Sequence, residues 1–235
     1  MGCITTMSLD RYLLRRPEDF GRNGRITWIE KTADLLRLNR VFLRRPPFQI
    51  EAPENQIVSP ADSKVETISK VSAEGRVEEK SVLGRKRNVF LQDLVKDDSL
   101  AGLFHGGDYV KLYLAPWYLH YLIFPVSGKP LGYEYRAGWA FPLLFMKSGD
   151  VLNERLCVSI ETDWGIPILL VMIGSWFVNG IHHAFETGKR YERGRDLGYF
   201  KIGSSVVMAF PADTVRFLVR VGDRLRIGAP FAQVL

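Results

Sequence analysis

The chain runs to 235 residues with 46% hydrophobic and 25% charged side chains, a balance that excludes wholesale disorder and suits one sizeable domain or two small ones. Basic residues outnumber acidic ones by 32 to 26, and residues 1–50 alone hold ten basic groups against five acids. A basic segment joined to a near-neutral body points to an anionic partner. With no recognisable base-reading motif, nucleic acid is disfavoured against a phospholipid membrane surface. Cys3 and Cys157 are too few and too far apart for a disulfide framework, so a cytoplasmic location is expected. No apolar run of the kind a secretory signal needs follows Met1. Met1-Gly2-Cys3-Ile4-Thr5-Thr6 fits the loose N-myristoylation pattern, which chance also produces.

In chain order, residues 1–47 read as a basic helical membrane-surface segment and residues 48–235 as a β-rich domain. Trp28, Ile29, Leu35, Leu36, Phe42 and Leu43 recur at heptad-like spacing, while Arg37, Arg40 and Arg44 share another face. Pro46-Pro47 ends the helix. Such a helix either packs on its own domain or lies at a lipid interface.

From Ile57 the pattern changes to short β-like runs separated by Gly, Pro and Asp. Runs 64–71 and 76–82 flank Ser72-Ala73-Glu74-Gly75 as a hairpin signal, and 88–104 reads as the one helical insert. Strands are then expected at 108–114, 119–127, 130–136, 154–161, 167–173, 196–202 and 204–210. The sum is an α+β fold with a β-rich, sandwich- or barrel-like core and basic helices at the N-terminus. Residues 112–128 and 164–185 carry no formal charge over 17 and 22 positions, yet both are punctuated by Pro or Gly. They read as buried strands rather than membrane spans.

Several chemistries find no support. The histidines, His105, His120, His182 and His183, lack zinc-ligand spacing, and there is no Walker loop or Gly-x-Gly-x-x-Gly, so no metal is expected. Adjacent on a strand, His182 and His183 would face opposite sides and read as surface polarity. Residues 221–235 look like the closing strands of a lipoyl-type hammerhead without its lysine, a structural element.

Three stretches are more informative together than singly. Val58-Ser59-Pro60-Ala61-Asp62-Ser63-Lys64-Val65 places an Asp in a turn entering a strand. Tyr113-Leu114-Ala115-Pro116 leads to His120 and ends at Pro125. Gly194-Arg195-Asp196-Leu197-Gly198 runs on to Gly203-Ser204-Ser205, a Gly-Ser pair between two strand-like runs. In this order the boxes resemble the phosphatidylserine decarboxylase family over roughly residues 57–235. Phe104-His105-Gly106-Gly107, Asn153-Glu154-Arg155 and Gly174 also match its spacing.

The resemblance implies self-cleavage at Gly203–Ser204. The Ser204 hydroxyl attacks the preceding carbonyl, and the resulting ester eliminates and hydrolyses to a pyruvoyl group derived from Ser204. A serine needs a base to become a good nucleophile, and glycine before it tolerates a strained scissile turn. The new carbonyl takes up the substrate amine and drains electrons during carbon dioxide loss, in place of an added cofactor. By the same resemblance Asp62 orients the processing base and His120 serves decarboxylation of phosphatidylserine or a related serine phospholipid. The expected enzyme is a carboxy-lyase, cytoplasmic and peripheral on the membrane, and a homodimer is left open.

One departure stands out. The family box carries two histidines three apart; His120 matches the first, but Ile123 stands where the second, the partner of the Asp, belongs. Trp117 and Tyr118 replace the usual charged pair. Positions 120 and 123 would point to opposite faces of a strand, so His120 does not simply take over. The alternative expectation is therefore an unprocessed relative that binds anionic lipid or a protein partner and catalyses nothing.

Overall fold

The computed structural model describes residues 21–22, 35, 48–82, 85–115, 117–136, 138, 152–174, 181–200 and 204–235. The expected basic N-terminal helices therefore lie almost wholly outside the described residues, as does Gly203. Strands dominate: β1 (Gly21–Arg22), β2 (Gln56–Val58), β3 (Ser63–Lys70), β4 (Arg76–Val82), β5 (Arg85–Phe90), β6 (Asp108–Leu114), β7 (Tyr121–Ile123) and β8 (Gly128–Arg136). They continue as β9 (Arg155–Thr162), β10 (Pro167–Gly174), β11 (Ile181–His183), β12 (Asp196–Phe200), β13 (Ser204–Phe210), β14 (Val215–Phe217), β15 (Arg224–Leu225) and β16 (Pro230–Val234). Two short helices, α1 (Leu91–Val95) and α2 (Asp98–Gly102), sit between β5 and β6.

A seven-stranded antiparallel sheet in the order β15-β3-β6-β13-β10-β9-β8 forms the centre. Alternate side chains of its strands enter two different cores, as the period of two requires. Val206, Met208 and Phe210 of β13 pack with Leu122, Leu197 and Phe231 from the smaller sheets β1-β11-β12-β7 and β14-β16-β2, and with Phe124 just after β7. Val207 and Ala209 pack on the other side with Leu91, Leu94 and Phe104. Both faces of the central strands are covered, which is why Pro167–Gly174 is an almost unbroken apolar run. The uncharged stretches are buried strands and their links as far as they are described. Among the described residues no helix is long and apolar enough to cross a membrane.

Three expectations need correction. The turn at Ser72–Gly75 is present, with the Gly75 N–H donating to the Ser72 carbonyl at 2.9 Å, but no β3–β4 ladder follows. β3 pairs with β6 and β15, and β4 instead forms a separate hairpin with β5. The helical insert is shorter than 88–104, because Asn88–Phe90 complete β5 and Lys96 ends α1 in the left-handed region. Asp97 then starts α2, its carboxylate accepting from the Leu100 N–H at 2.9 Å, as a good N-cap does. Finally, His182 and His183 are buried rather than surface polarity. His182 stacks on Tyr199 with ring centroids 4.4 Å apart, and His183 lies against Tyr133 and Phe185.

Candidate active site

One end of the large sheet gathers the three sequence boxes. Pairing runs Leu225↔Ser63, Lys64↔Tyr113, Leu114↔Ser204, Ser204↔Gly174 and Ile173↔Arg155, so residues distant in sequence end on neighbouring strands. The strands that neighbour these in chain order, β7, β11 and β12, belong to the four-stranded sheet, where Ile181 pairs with Phe200 and Tyr199 with Tyr121. The chain is thus held on both sides of Gly203–Ser204. Phe200 donates its N–H to the His120 carbonyl at 2.9 Å, while Ser204 is already in register between β6 and β10. Phe200 in one sheet and Ser204 in the other are four Cα steps apart, a reach of at most ~14 Å. Gly198 serves the same clamp, since a Cβ there would collide with the His182 carbonyl.

Ser204 is fully buried, and its Oγ has no hydrogen-bond partner among the described residues. In step with Val206 and Met208, it belongs to the face that turns toward the smaller sheets. Leaving a buried hydroxyl unmatched costs about 1–3 kcal/mol, and the Ser205 Oγ beside it is unmatched as well.

Asp62 enters β3 from a turn ordered by Ser59, whose hydroxyl donates to the Ala61 carbonyl at 2.7 Å. One Asp62 carboxylate oxygen accepts from the Ile227 N–H at 2.8 Å. Asp62 also lines an open cleft of about 840 Å³, together with Trp117, Leu119 and Arg226. β6 lies between the strands of Asp62 and Ser204, so two strand spacings, about 10 Å, separate their backbones. A carboxylate at that remove acts on the serine only through an intermediary. Ile123 stands beside it instead of an imidazole: its N–H donates to the Pro60 carbonyl at 2.9 Å. Its side chain is fully buried with Val58, Tyr121, Tyr199 and Ile227.

His120 precedes β7 and is fully buried. Its Nδ1 lies 2.8 Å from the Tyr118 carbonyl. A carbonyl only accepts, so Nδ1 carries the proton and Nε2 the lone pair. Burial pulls the imidazole down to about 4, the Tyr118 bond opposing it, and the ring is neutral at pH 7.

Asn153 and Glu154, to which sequence spacing attached no role, fix the strand beside Ser204. The Asn153 amide donates to the Gly174 carbonyl at 2.8 Å, and the Gly174 N–H donates to the Glu154 carbonyl at 2.8 Å. Tyr135 donates to the Glu154 carboxylate at 2.6 Å. Arg155, also buried, donates to the carbonyls of Leu94 and Asn153 at 2.5 and 3.1 Å, tying α1 to this edge. The available signal was a polar triplet directly before an apolar strand. Among the described residues no three His, Cys, Asp or Glu side chains are grouped as a metal would need.

Comparison with known proteins identifies the family. The profile of the phosphatidylserine decarboxylase family matches residues 38–233. A phosphatidylserine decarboxylase proenzyme of Anaeromyxobacter sp. (strain K) is 30% identical over 213 residues, covering 79% of this chain and 73% of that protein. A proenzyme of the same description from Brevibacillus brevis is 28% identical over 99% of this chain and 91% of its own length. One from Shewanella pealeana is 27% identical over 100% and 90%. With most of its length matched and the three boxes gathered at one sheet end, the chain belongs to the phosphatidylserine decarboxylase family.

Proposed function

We propose that this chain is a self-cleaving proenzyme that decarboxylates phosphatidylserine, or a related serine phospholipid, to the ethanolamine lipid. The observation that carries the reading is the buried, unmatched Ser204 hydroxyl at the start of a central strand, four residues after Phe200 is fixed in the smaller sheet. In the first step the Ser204 Oγ bonds to the Gly203 carbonyl carbon, and the Gly203–Ser204 C–N bond breaks. Loss of the Ser204 α-proton then expels the Gly203 carboxylate. Water replaces the Ser204 nitrogen, which leaves as ammonia. The orphaned hydroxyl suits its part as the nucleophile that begins formation of a pyruvoyl group at residue 204. Once formed, that group supplies a carbonyl that takes up the substrate amine and accepts the electron pair freed with carbon dioxide.

In this reading Asp62 orients the group that takes the Ser204 proton. His120 accepts a proton at Nε2 and returns it to the carbon that has lost its carboxylate. The basic segment 1–47 holds the β-rich domain 48–235 on an anionic membrane surface. Without a histidine at position 123, cleavage is slow, leaving intact chain beside fragments 1–203 and 204–235. Intact-mass analysis tests this: a small fragment with a blocked N-terminus is expected, and Ser204→Ala removes both fragments. Ile123, packed in an apolar cluster beside the Asp62 turn, favours a second reading, an unprocessed relative that binds anionic lipid. A single uncleaved mass with no carbon dioxide release would refute the enzyme reading and leave that alternative.

A further inference from the structure

β15 is the two-residue edge strand of the central sheet, and it pairs Arg224 directly with Lys64 of β3. Like charges placed opposite each other across a ladder repel. Both side chains are exposed, and neither has an ion-pair partner among the described residues. Arg226, two residues on and also exposed, lines the Asp62 cleft with Trp117, whose side chain is 76% exposed.

Of the acids nearby, three are engaged elsewhere, while Glu51 lines the cleft itself. Asp223 accepts from the Arg220 N–H at 2.8 Å, Glu66 pairs with Lys111 at 3.1 Å, and Asp62 accepts from the Ile227 N–H. The cleft is preformed on its far wall, where Arg193 donates to the carbonyls of Ala52, Pro53 and Gln56 at 2.7–2.8 Å. Three unneutralised cations beside an exposed indole match a surface of anionic headgroups over an apolar layer, since indole settles at the headgroup level.

We propose that Lys64, Arg224, Arg226 and Trp117 form a docking surface for an anionic lipid bilayer, carried by the folded domain and separate from residues 1–47. It would hold the mouth of the Asp62 cleft against the membrane. The inference rests on the reading that the chain acts on a phospholipid.

The test is flotation of the full-length chain with phosphatidylglycerol/phosphatidylcholine vesicles, which contain no substrate. Each cation near such a surface contributes roughly fivefold in affinity, so Lys64→Gln with Arg224→Gln should weaken binding by roughly 25-fold at low salt. Trp117→Ala should weaken it further, and Glu51→Gln, which removes an acid from the cleft, should strengthen it. Removing Lys64 or Arg224 relieves the cross-strand repulsion, so the melting temperature should hold or rise while binding falls, which a misfolded variant would not do. Unchanged flotation in the double variant overturns the proposal. So does unchanged flotation accompanied by self-association, which would mean that the charges guard a sheet edge. If vesicle binding responds as expected but phosphatidylserine is never decarboxylated, the docking surface stands and the catalytic reading fails.

Discussion

Ile123 and Asp62 are linked indirectly, through a backbone hydrogen bond from Ile123 to Pro60 and a bond from the Ile227 N–H to the Asp62 carboxylate. Ile123 holds the Pro60 carbonyl at 2.9 Å, and Asp62 turns to the N–H of Ile227, whose side chain packs in the same cluster as that of Ile123. A residue at 123 is therefore fixed close to the Asp62 turn whatever its chemistry, and isoleucine fills the place with hydrocarbon.

Ile123→His should raise the rate of cleavage at Gly203–Ser204. General-base help contributes about 10²- to 10⁴-fold where it is well placed. The variant should also lose roughly 1–3 kcal/mol of stability if the imidazole is left unpaired, and less if it meets Asp62. A cleavage time course by intact mass checks this, and adding Asp62→Ala should cancel the gain. A gain that survives Asp62→Ala would mean that the two positions do not cooperate.

Asn153→Ala should slow cleavage without touching the scissile bond. It frees the Gly174 carbonyl and loosens the strand end in register with Ser204. Leaving that buried carbonyl unmatched costs about 1–3 kcal/mol. Urea unfolding reports the stability change and the cleaved fraction reports positioning. Cleavage at the parental rate in a chain destabilised by this amount would leave Asn153 a purely structural role.

His120→Ala should spare cleavage and abolish decarboxylation, because His120 is assigned to the second reaction alone. Separate assays of fragment formation and carbon dioxide release distinguish the steps. Carbon dioxide release at the parental rate would remove His120 from the chemistry.

Acid should destabilise the fold through the same side chain. Its folded value near 4 lies below the ordinary 6.5, so between these limits the unfolded chain binds the extra proton. Stability therefore falls as pH drops from about 6.5 toward 4, by about 3 kcal/mol for this group. Burial lowers His183 as well, which adds in the same direction. Denaturant midpoints measured across this interval should slope more gently in a His120→Asn variant.

The sequence made some parts of this molecule legible and hid others. The strand 204–210 was read with both ends correct, because an apolar run bounded by Gly-Ser and Pro has few other uses. The site was legible as three boxes in order, although no box shows that Leu114 and Gly174 flank Ser204. The false β3–β4 hairpin came from a genuine turn, and which strand pairs with β3 depends on long-range register that a local pattern does not encode. The histidine pair misled for a related reason. A strand covered on both faces buries successive residues, so a pair of polar rings read as surface polarity is enclosed by the fold. Lys64 and Arg224, lying 160 positions apart in sequence, become neighbours only in the sheet.

Cleavage after residue 203 would also change what kind of object unfolds. Fragment 204–235 carries β13 from the middle of the seven-stranded sheet, β15 from its edge, and β16 between β14 and β2. Neither piece could then complete its sheets alone. The intact precursor closes β13 between β6 and β10 as an intramolecular event, whereas the cut protein would have to recover that strand from solution. Its renaturation would be second order and dependent on concentration. The precursor would thus act as its own template, folding first and severing the connection afterwards, so that the mature particle persists through slow dissociation rather than ready reassembly.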